Sequence, residues 1–182
     1  RASGDVVLRA WRPTDEADIV PAANNRAVWR NLTDLFPHPY TAQHAGEWVA
    51  ACLQQDPPRE LVIEAAGELA GGCGIELGKG NYRYTGYVGY WLGERFWNRG
   101  IATAAVAAFL EYIWETFDVQ RLEAEVFSWN PASARVLEKN GFDLEDAGLF
   151  ARACEVEYAL RPLSHLQSVS TVTGSRSSTS GP

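Results

Sequence analysis

The chain has 182 residues, with 16 Lys and Arg against 23 Asp and Glu, for a formal net charge of -7. That is the length of one ordinary domain, which buries about 70% of the surface its unfolded form exposes and needs no metal or disulfide to hold it. The acidic balance excludes a nonspecific nucleic-acid binder and suits a cationic small ligand or peptide, and no apolar run reaches the roughly 18 residues of a membrane helix. Three cysteines (Cys52, Cys73, Cys154) are odd in number and form no CxxC. The expectation is therefore a protein without metal or disulfides, in the reducing cytoplasm. No signal-peptide pattern opens the sequence, and because it holds no methionine the natural chain is expected to begin upstream of Arg1.

In chain order, Val6–Arg12 predicts a strand. Thr14 offers an N-cap to a helix through Asp15–Asn25 despite Pro21. Thr41 caps a second helix that ends before Asp56-Pro57-Pro58. Glu60–Ala65 and Leu69–Leu77 predict a hairpin turning at Ala66-Gly67-Glu68, and Tyr82–Leu92 a third, aromatic strand. A short polar loop, Gly93–Gly100, leads into Ile101–Phe117, an Ala-rich segment with helical spacing of apolar residues. Arg121–Phe127 follows as a strand, Pro131–Asn140 as a helix, and Phe142–Leu144 and Glu155–Leu160 as strands. The order β-α-α-β-β-β-α-β-α-β-β predicts an α/β fold with a mixed sheet and helices on its faces. Residues 1–163 form the expected single domain; Ser164–Pro182, rich in Ser and Thr, is expected to be a flexible tail.

Two strand–helix junctions draw attention. At the first, the strand ending in Tyr90-Trp91-Leu92 turns through Gly100 into the helix opened by Ala102 and Thr103. A helix N-terminus exposes unpaired N–H groups and the positive end of the macrodipole, so with inward-facing loop amides it can hold a diphosphate. Gly100 and Ala102 would allow close approach; equally, Gly100 is explained as a plain loop glycine. Gly71-Gly72-Cys73-Gly74 lies within a strand and precedes no helix, so a bulge or close backbone contact accounts for it better than a dinucleotide fingerprint. At the second junction Asn130 caps, Pro131 takes the first helical position and Gly141 ends the helix. Two adjacent parallel strands, each followed by a helix, part at their C-terminal ends, and a ligand can lie in that gap.

The segments YWLGERFWNRGIATAAV and RLEAEVFSWNPASARVLEKNGF resemble the GNAT superfamily of acyl-CoA-dependent N-acetyltransferases, nearest its RimJ/RimL-like branch. The likeness runs from about Val7 to Leu160. It implies the GNAT fold, a central mixed sheet splayed at two parallel strands, and acetyl-CoA as co-substrate. The family's pyrophosphate loop, Q/R-x-x-G-x-G/A, falls on Trp97-Asn98-Arg99-Gly100-Ile101-Ala102, with Trp97 departing from Gln or Arg. The resemblance also assigns Tyr90, Trp91, Leu92, Thr103 and Lys139 to the cofactor. Within that set the Leu92 backbone and Asn130 meet the pantetheine arm, and Ser133 lies near the thioester sulfur. The family's usual Tyr acid, seven residues after the Asn, is replaced here by Leu137, which leaves Ser133 as the substitute donor.

The implied reaction is direct attack of a primary amine on the thioester, with a base to take a proton. A strand-end N–H would stabilise the oxyanion. Glu76 is the expected base, with Glu155 and Glu157 as further candidates. Phe36, His38, Tyr40 and Tyr84, with Trp29 and Tyr87, are expected to line the acceptor channel. No cysteine has a motif-level partner, so a covalent acetyl-enzyme is not expected. The expected partner is an amine-bearing acceptor, a peptide N-terminus or a small cationic amine, with no nucleic acid or membrane, and the protein a monomer or homodimer. The other function class is an acyl-CoA-binding sensor or assembly module without catalysis.

Overall fold

The computed structural model describes residues 2–3, 5–146 and 155–160. The expected tail, Cys154 and the connection after Asp146 lie outside the described residues. The first half contributes β1 (Ala2–Ser3), β2 (Val6–Ala10), α1 (Glu16–Ala23), α2 (Arg26–Trp29) and α3 (Ala42–Cys52). Three strands follow, β3 (Glu60–Ala65), β4 (Glu68–Leu77) and β5 (Thr85–Leu92). The chain then alternates through α4 (Ile101–Thr116), β6 (Arg121–Phe127), α5 (Pro131–Lys139), β7 (Asp143–Asp146) and β8 (Glu155–Leu160). Eight strands form one sheet in the order β1-β2-β3-β4-β5-β6-β8-β7, and β5–β6 is its parallel pair. The expected mixed sheet with helices on both faces is what forms, extended by the short β1.

Strand alternation sorts side chains between two cores. On β3, Leu61, Ile63 and Ala65 join α4 and Leu137 of α5 in one core, while Val62 joins Ile19 of α1 and Val49 of α3 in the other. None of the described helices is long and apolar enough to cross a membrane.

Several boundaries differ from the sequence expectation; the second helix, expected to reach Gln55, ends at Cys52. Thr14 does not cap α1. Pro13–Asp15 forms a tight 3-10 turn instead, because the buried Asp15 carboxylate accepts the Arg12 N–H at 2.7 Å and two Arg9 guanidinium bonds at 2.8 and 2.9 Å. The same guanidinium donates to Glu64 at 2.6 Å, so this charge-assisted triad binds the chain entering α1 to β2 and β3. The first helix stops at Ala23 because Asn25 caps α2, accepting from the Ala27 and Val28 N–H groups. The aromatic strand begins at Thr85 rather than Tyr82, since Gly80–Tyr82 winds into a 3-10 turn.

The glycine tract in β4 serves close packing, as the sequence suggested. A Cβ on Gly71 would collide with the Trp91 carbonyl oxygen and lie 2.9 Å from the Leu92 Cα. Ladder register also shifts at Ile63/Glu64, beside this tract. Gly71→Ala is therefore expected to destabilise the fold by about 3 kcal/mol through overpacking against backbone. Gly89→Ala, whose Cβ meets nothing within 4 Å, is expected to change stability by less than about 1 kcal/mol. Urea unfolding midpoints of the two variants check both.

Candidate active site

The parallel pair is short. Cα pairing runs from Thr85↔Arg121 to Tyr87↔Glu123, yet β5 continues to Leu92 and β6 to Phe127. Beyond Tyr87 and Glu123 the strands part, and a cleft of about 1440 Å³ opens between them. A pocket for one ligand spans roughly 300–1,000 Å³, so this cleft has room for two molecules.

One end of the cleft is the start of α4. Gly100, at the N-cap, is left-handed with φ of 75°, and Asn98 is also left-handed with φ of 58°. Glycine adopts this conformation freely, and Asn is among the few other residues that visit it. The first helical bond is Ala104 N–H to the Gly100 carbonyl. No side chain caps the helix and its first turn holds no acidic residue. The leading N–H groups are left for an anion, supported by the macrodipole. Trp97 does structural work in this loop. Its indole N–H donates to the Leu92 carbonyl at 2.8 Å and so fastens the turn to the end of β5.

Across the gap, the Asn130 side chain accepts the Ser133 N–H at 3.2 Å and caps α5. Asn140 donates from its side chain to the Val136 carbonyl at 2.8 Å and to the Thr103 carbonyl at 3.3 Å, holding α5 against α4. The Tyr90 hydroxyl reaches over from β5. It lies 2.7 Å from the Ser133 Oγ and 3.1 Å from the Ser133 carbonyl oxygen. Burial pushes the Tyr90 pKa up to about 12, so the phenol keeps its proton at neutral pH. Leu137 is fully buried in the core.

Residues 97–103, the strand end Tyr90–Leu92, and Asn130, Ser133 and Lys139 all line this one cleft. So do Phe36, Tyr40, Glu76 and Tyr87. Phe36 packs on Tyr40 at 5.1 Å and on Trp91 at 5.7 Å between ring centroids. His38 and Tyr84 are not among the lining residues. His38 is exposed and stacks on Trp29 at 5.2 Å, and Tyr84 is exposed beneath the Arg83 guanidinium. Two surface contacts, ring on ring and cation on ring, hold these side chains away from the cleft. Glu155 and Glu157 lie on β8, with side chains outside the described residues.

Sequence reasoning did not single out Glu60 or Arg135, which also line the cleft, or the Tyr90–Ser133 contact. Glu60 could have been found from β3 alone: Leu61, Ile63 and Ala65 share one face, which turns Glu60 to the other beside the apolar Val62. The hydroxyl pair joins residues 43 positions apart and has no local signal.

A family model described as "Acetyltransferase (GNAT) domain" matches residues 5–143. The chain belongs to the GNAT acetyltransferase family. Among curated relatives, an uncharacterized SPbeta prophage-derived N-acetyltransferase, YokL of Bacillus subtilis, is 28% identical over 140 residues, 76% of each chain. Among solved structures, the RimL ribosomal L7/L12 α-N-protein acetyltransferase in complex with coenzyme A superposes with a TM-score of 0.74. It is 20% identical, with 87% of this chain and 95% of that one covered. The spermidine N-acetyltransferase from Vibrio cholerae, in complex with coenzyme A and spermine, gives a TM-score of 0.71 at 18% identity, covering 87% and 96%.

In this GNAT enzyme the two described cysteines are poor nucleophiles. Both Cys52 and Cys73 are buried; burial, with the nearby Glu60 charge, pushes the Cys52 thiol up to about 12 and raises Cys73 as well. With Cys154 replaced by Ser, the native protein is expected to react with less than about one-tenth of a thiol equivalent of Ellman's reagent at pH 8. Both remaining thiols are expected to react after denaturation in guanidinium.

Proposed function

We propose that this GNAT enzyme moves the acetyl group of acetyl-CoA to a primary amine of a cationic acceptor, a peptide N-terminus or a small polyamine-like amine. Both substrates are bound at once. The observation that carries this reading is the uncapped start of α4, with its left-handed Asn98 and Gly100, beside the gap where β5 leaves β6. The residues present fit coenzyme A. The Ile101–Thr103 N–H groups would take the diphosphate, with Arg99 beside them in sequence and Arg135 and Lys139 of α5 also lining the cleft. The β5 backbone past Tyr87 and the Asn130 amide would meet the pantetheine arm. Bound there, acetyl-CoA supplies an acyl group already activated as a thioester.

The protein's own residues divide the remaining work. Tyr90 holds the Ser133 hydroxyl, and this pair supplies the hydrogen bond that meets the negative charge developing on sulfur. It fills the place left by Leu137: the donor arrives from β5 instead of from the second turn of α5. The acceptor side carries the opposite charge from the cofactor side. Glu47 on α3, Glu60 and Glu76 on the sheet, and Glu125 and the Arg121-paired Glu123 on β6 line the cleft there, a field whose net sign draws in a cation. The RimL neighbour is described as acting on a ribosomal protein N-terminus, and the Vibrio cholerae enzyme is bound to spermine; both acceptors are cationic amines. The buried thiols of Cys52 and Cys73 favour direct transfer over an acetylated enzyme.

Thiol release from acetyl-CoA with a panel of peptides and polyamines tests the reaction. Coenzyme A binding without release in any member of the panel would favour the sensor reading. Ser133→Ala and Tyr90→Phe are each expected to lower kcat by roughly 10- to 100-fold while the coenzyme A Kd stays within about 3-fold. Gly100→Val, which forces a branched residue into the left-handed region, is expected to weaken coenzyme A binding at least about 100-fold, and Arg99→Ala less than about 10-fold. Calorimetry distinguishes backbone from side-chain capture.

A further inference from the structure

Two rows that hold glycine cross the acceptor face of the sheet, Val62–Gly72–Trp91 and Glu60–Gly74–Gly89, and the second leads from a carboxylate to the transfer site. Across the ladders, Glu60 on β3 stands opposite Gly74 on β4, and Gly74 stands opposite Gly89 on β5. Gly89 lies two residues past Tyr87, where β5 has already left β6. Its neighbours on the same face are Tyr87 and Trp91, and Trp91 packs against the α1–α3 core, so the row faces the acceptor side.

Neither glycine has a side chain to block the row. The Glu60 carboxylate occupies the space a Cβ on Gly74 would need, so it reaches across β4, and the space above Gly89 is open. Adjacent strands are about 4.8 Å apart, which leaves the carboxylate roughly one strand spacing from Gly89. Among the described residues neither a hydrogen-bond donor nor a cation meets this carboxylate; Gln55 holds only the Glu60 backbone N–H, at 3.2 Å. Glu76, the candidate from sequence, is exposed and stands opposite Tyr87, level with the last paired residues and before the strands part.

We infer that Glu60 receives the amine of the acceptor over the Gly74–Gly89 floor and takes its proton before transfer. The inference rests on the acetyltransferase reading above. An N–H bond of the ammonium breaks and its proton passes to a Glu60 oxygen. The freed nitrogen lone pair forms the N–C bond to the acetyl carbon while the C–S bond breaks. Of the two protons that nitrogen gives up, one leaves through Glu60 to water. The other replaces the proton that the Ser133–Tyr90 pair delivers to sulfur.

The chemistry of the group suits the task. Burial pushes the Glu60 carboxyl up to about 8 from its ordinary 4.5. Against a polyamine near 10, that narrows the gap in proton affinity from roughly 6 units to roughly 2, and a peptide N-terminus near 8 is matched outright. Cys52 of α3 and Cys73 of β4 sense its charge, and His44, Glu47, Glu76 and Tyr87 line the same cleft. The neutral carboxyl is the form the fold prefers. Its stabilisation is complete below the unfolded value near 4.5 and is lost as pH rises through about 8.

The test follows thiol release from acetyl-CoA with spermidine and with a seryl tetrapeptide, in wild type and Glu60→Gln, between pH 6 and 9.5. With the better acceptor at saturation, wild-type kcat, which does not report the ionisation of the free amine, is expected to rise through an apparent pKa near 8. Glu60→Gln is expected to lose that limb and at least about 100-fold of kcat/KM at pH 7.5, with coenzyme A affinity held within about 3-fold. Its melting temperature should also fall less than that of wild type between pH 6 and 9, a readout that needs no acceptor. An active wild type matched by Glu60→Gln in rate and pH profile overturns the assignment and leaves the enzyme reading standing. So does a flat wild-type profile, should the variant fail to fold. A wild type that binds coenzyme A and acetylates neither these probes nor any other amine overturns both.

Discussion

The parting of β5 from β6 is the constraint on which the rest of the site depends. A buried sheet normally satisfies every backbone N–H and C=O through its neighbours. Here one ladder stops after three Cα pairs while both strands run on. Main chain that would be paired in a closed sheet instead lines a cleft and is available to an extended ligand. The helix that follows each strand starts at the same end, so the α4 and α5 N-termini converge on that cleft. An uncapped helix start, an amide on Asn130 and a hydroxyl pair thus come from one topological feature.

Holding the gap open requires fastening on each side. Trp97 ties the turn before α4 to Leu92, and Asn140 ties α5 to the Thr103 carbonyl on α4. Tyr90 spans the gap itself, joining β5 to the first turn of α5 through Ser133. These contacts hold groups in place before a ligand arrives, and preorganised donors are worth more than donors that must be ordered during the reaction. The Arg9–Asp15–Glu64 triad does similar work at a distance. It fixes the entry to α1, which with α3 roofs the acceptor side.

Charge divides the cleft as clearly as geometry does. Arg99, Arg135 and Lys139 lie where α4 and α5 begin and run, while the five carboxylates come from α3 and one face of the sheet. A polyanionic cofactor and a cationic amine would be drawn to opposite ends of one cavity and meet at its middle. The acceptor side also has the bare row from Glu60 to Gly89. In a strand, glycine ordinarily costs stability, and here it clears a path.

Much of this was legible in the linear sequence. Helix α4, the β3–β4 hairpin with its turn at Ala66-Gly67, the Asn130 cap and the Gly141 stop each rest on signals a few residues long, and they stand where local chemistry put them. The turn into α4 could be read because the left-handed Gly100 and the small Ala102 stand at fixed spacing. The errors arose where distant chain competes with local preference. Asp15 displaced Thr14 because Arg9 waits on a neighbouring strand, and His38 turned to Trp29 rather than into the cleft. By itself, then, the sequence determined the elements, their order and the glycine turn into α4, since these depend on periods and caps within one stretch of chain. Only the tertiary structure decided which hydroxyl faces Ser133 and which carboxylate lies over the glycine floor, because both depend on register between strands and on helices far apart in the chain.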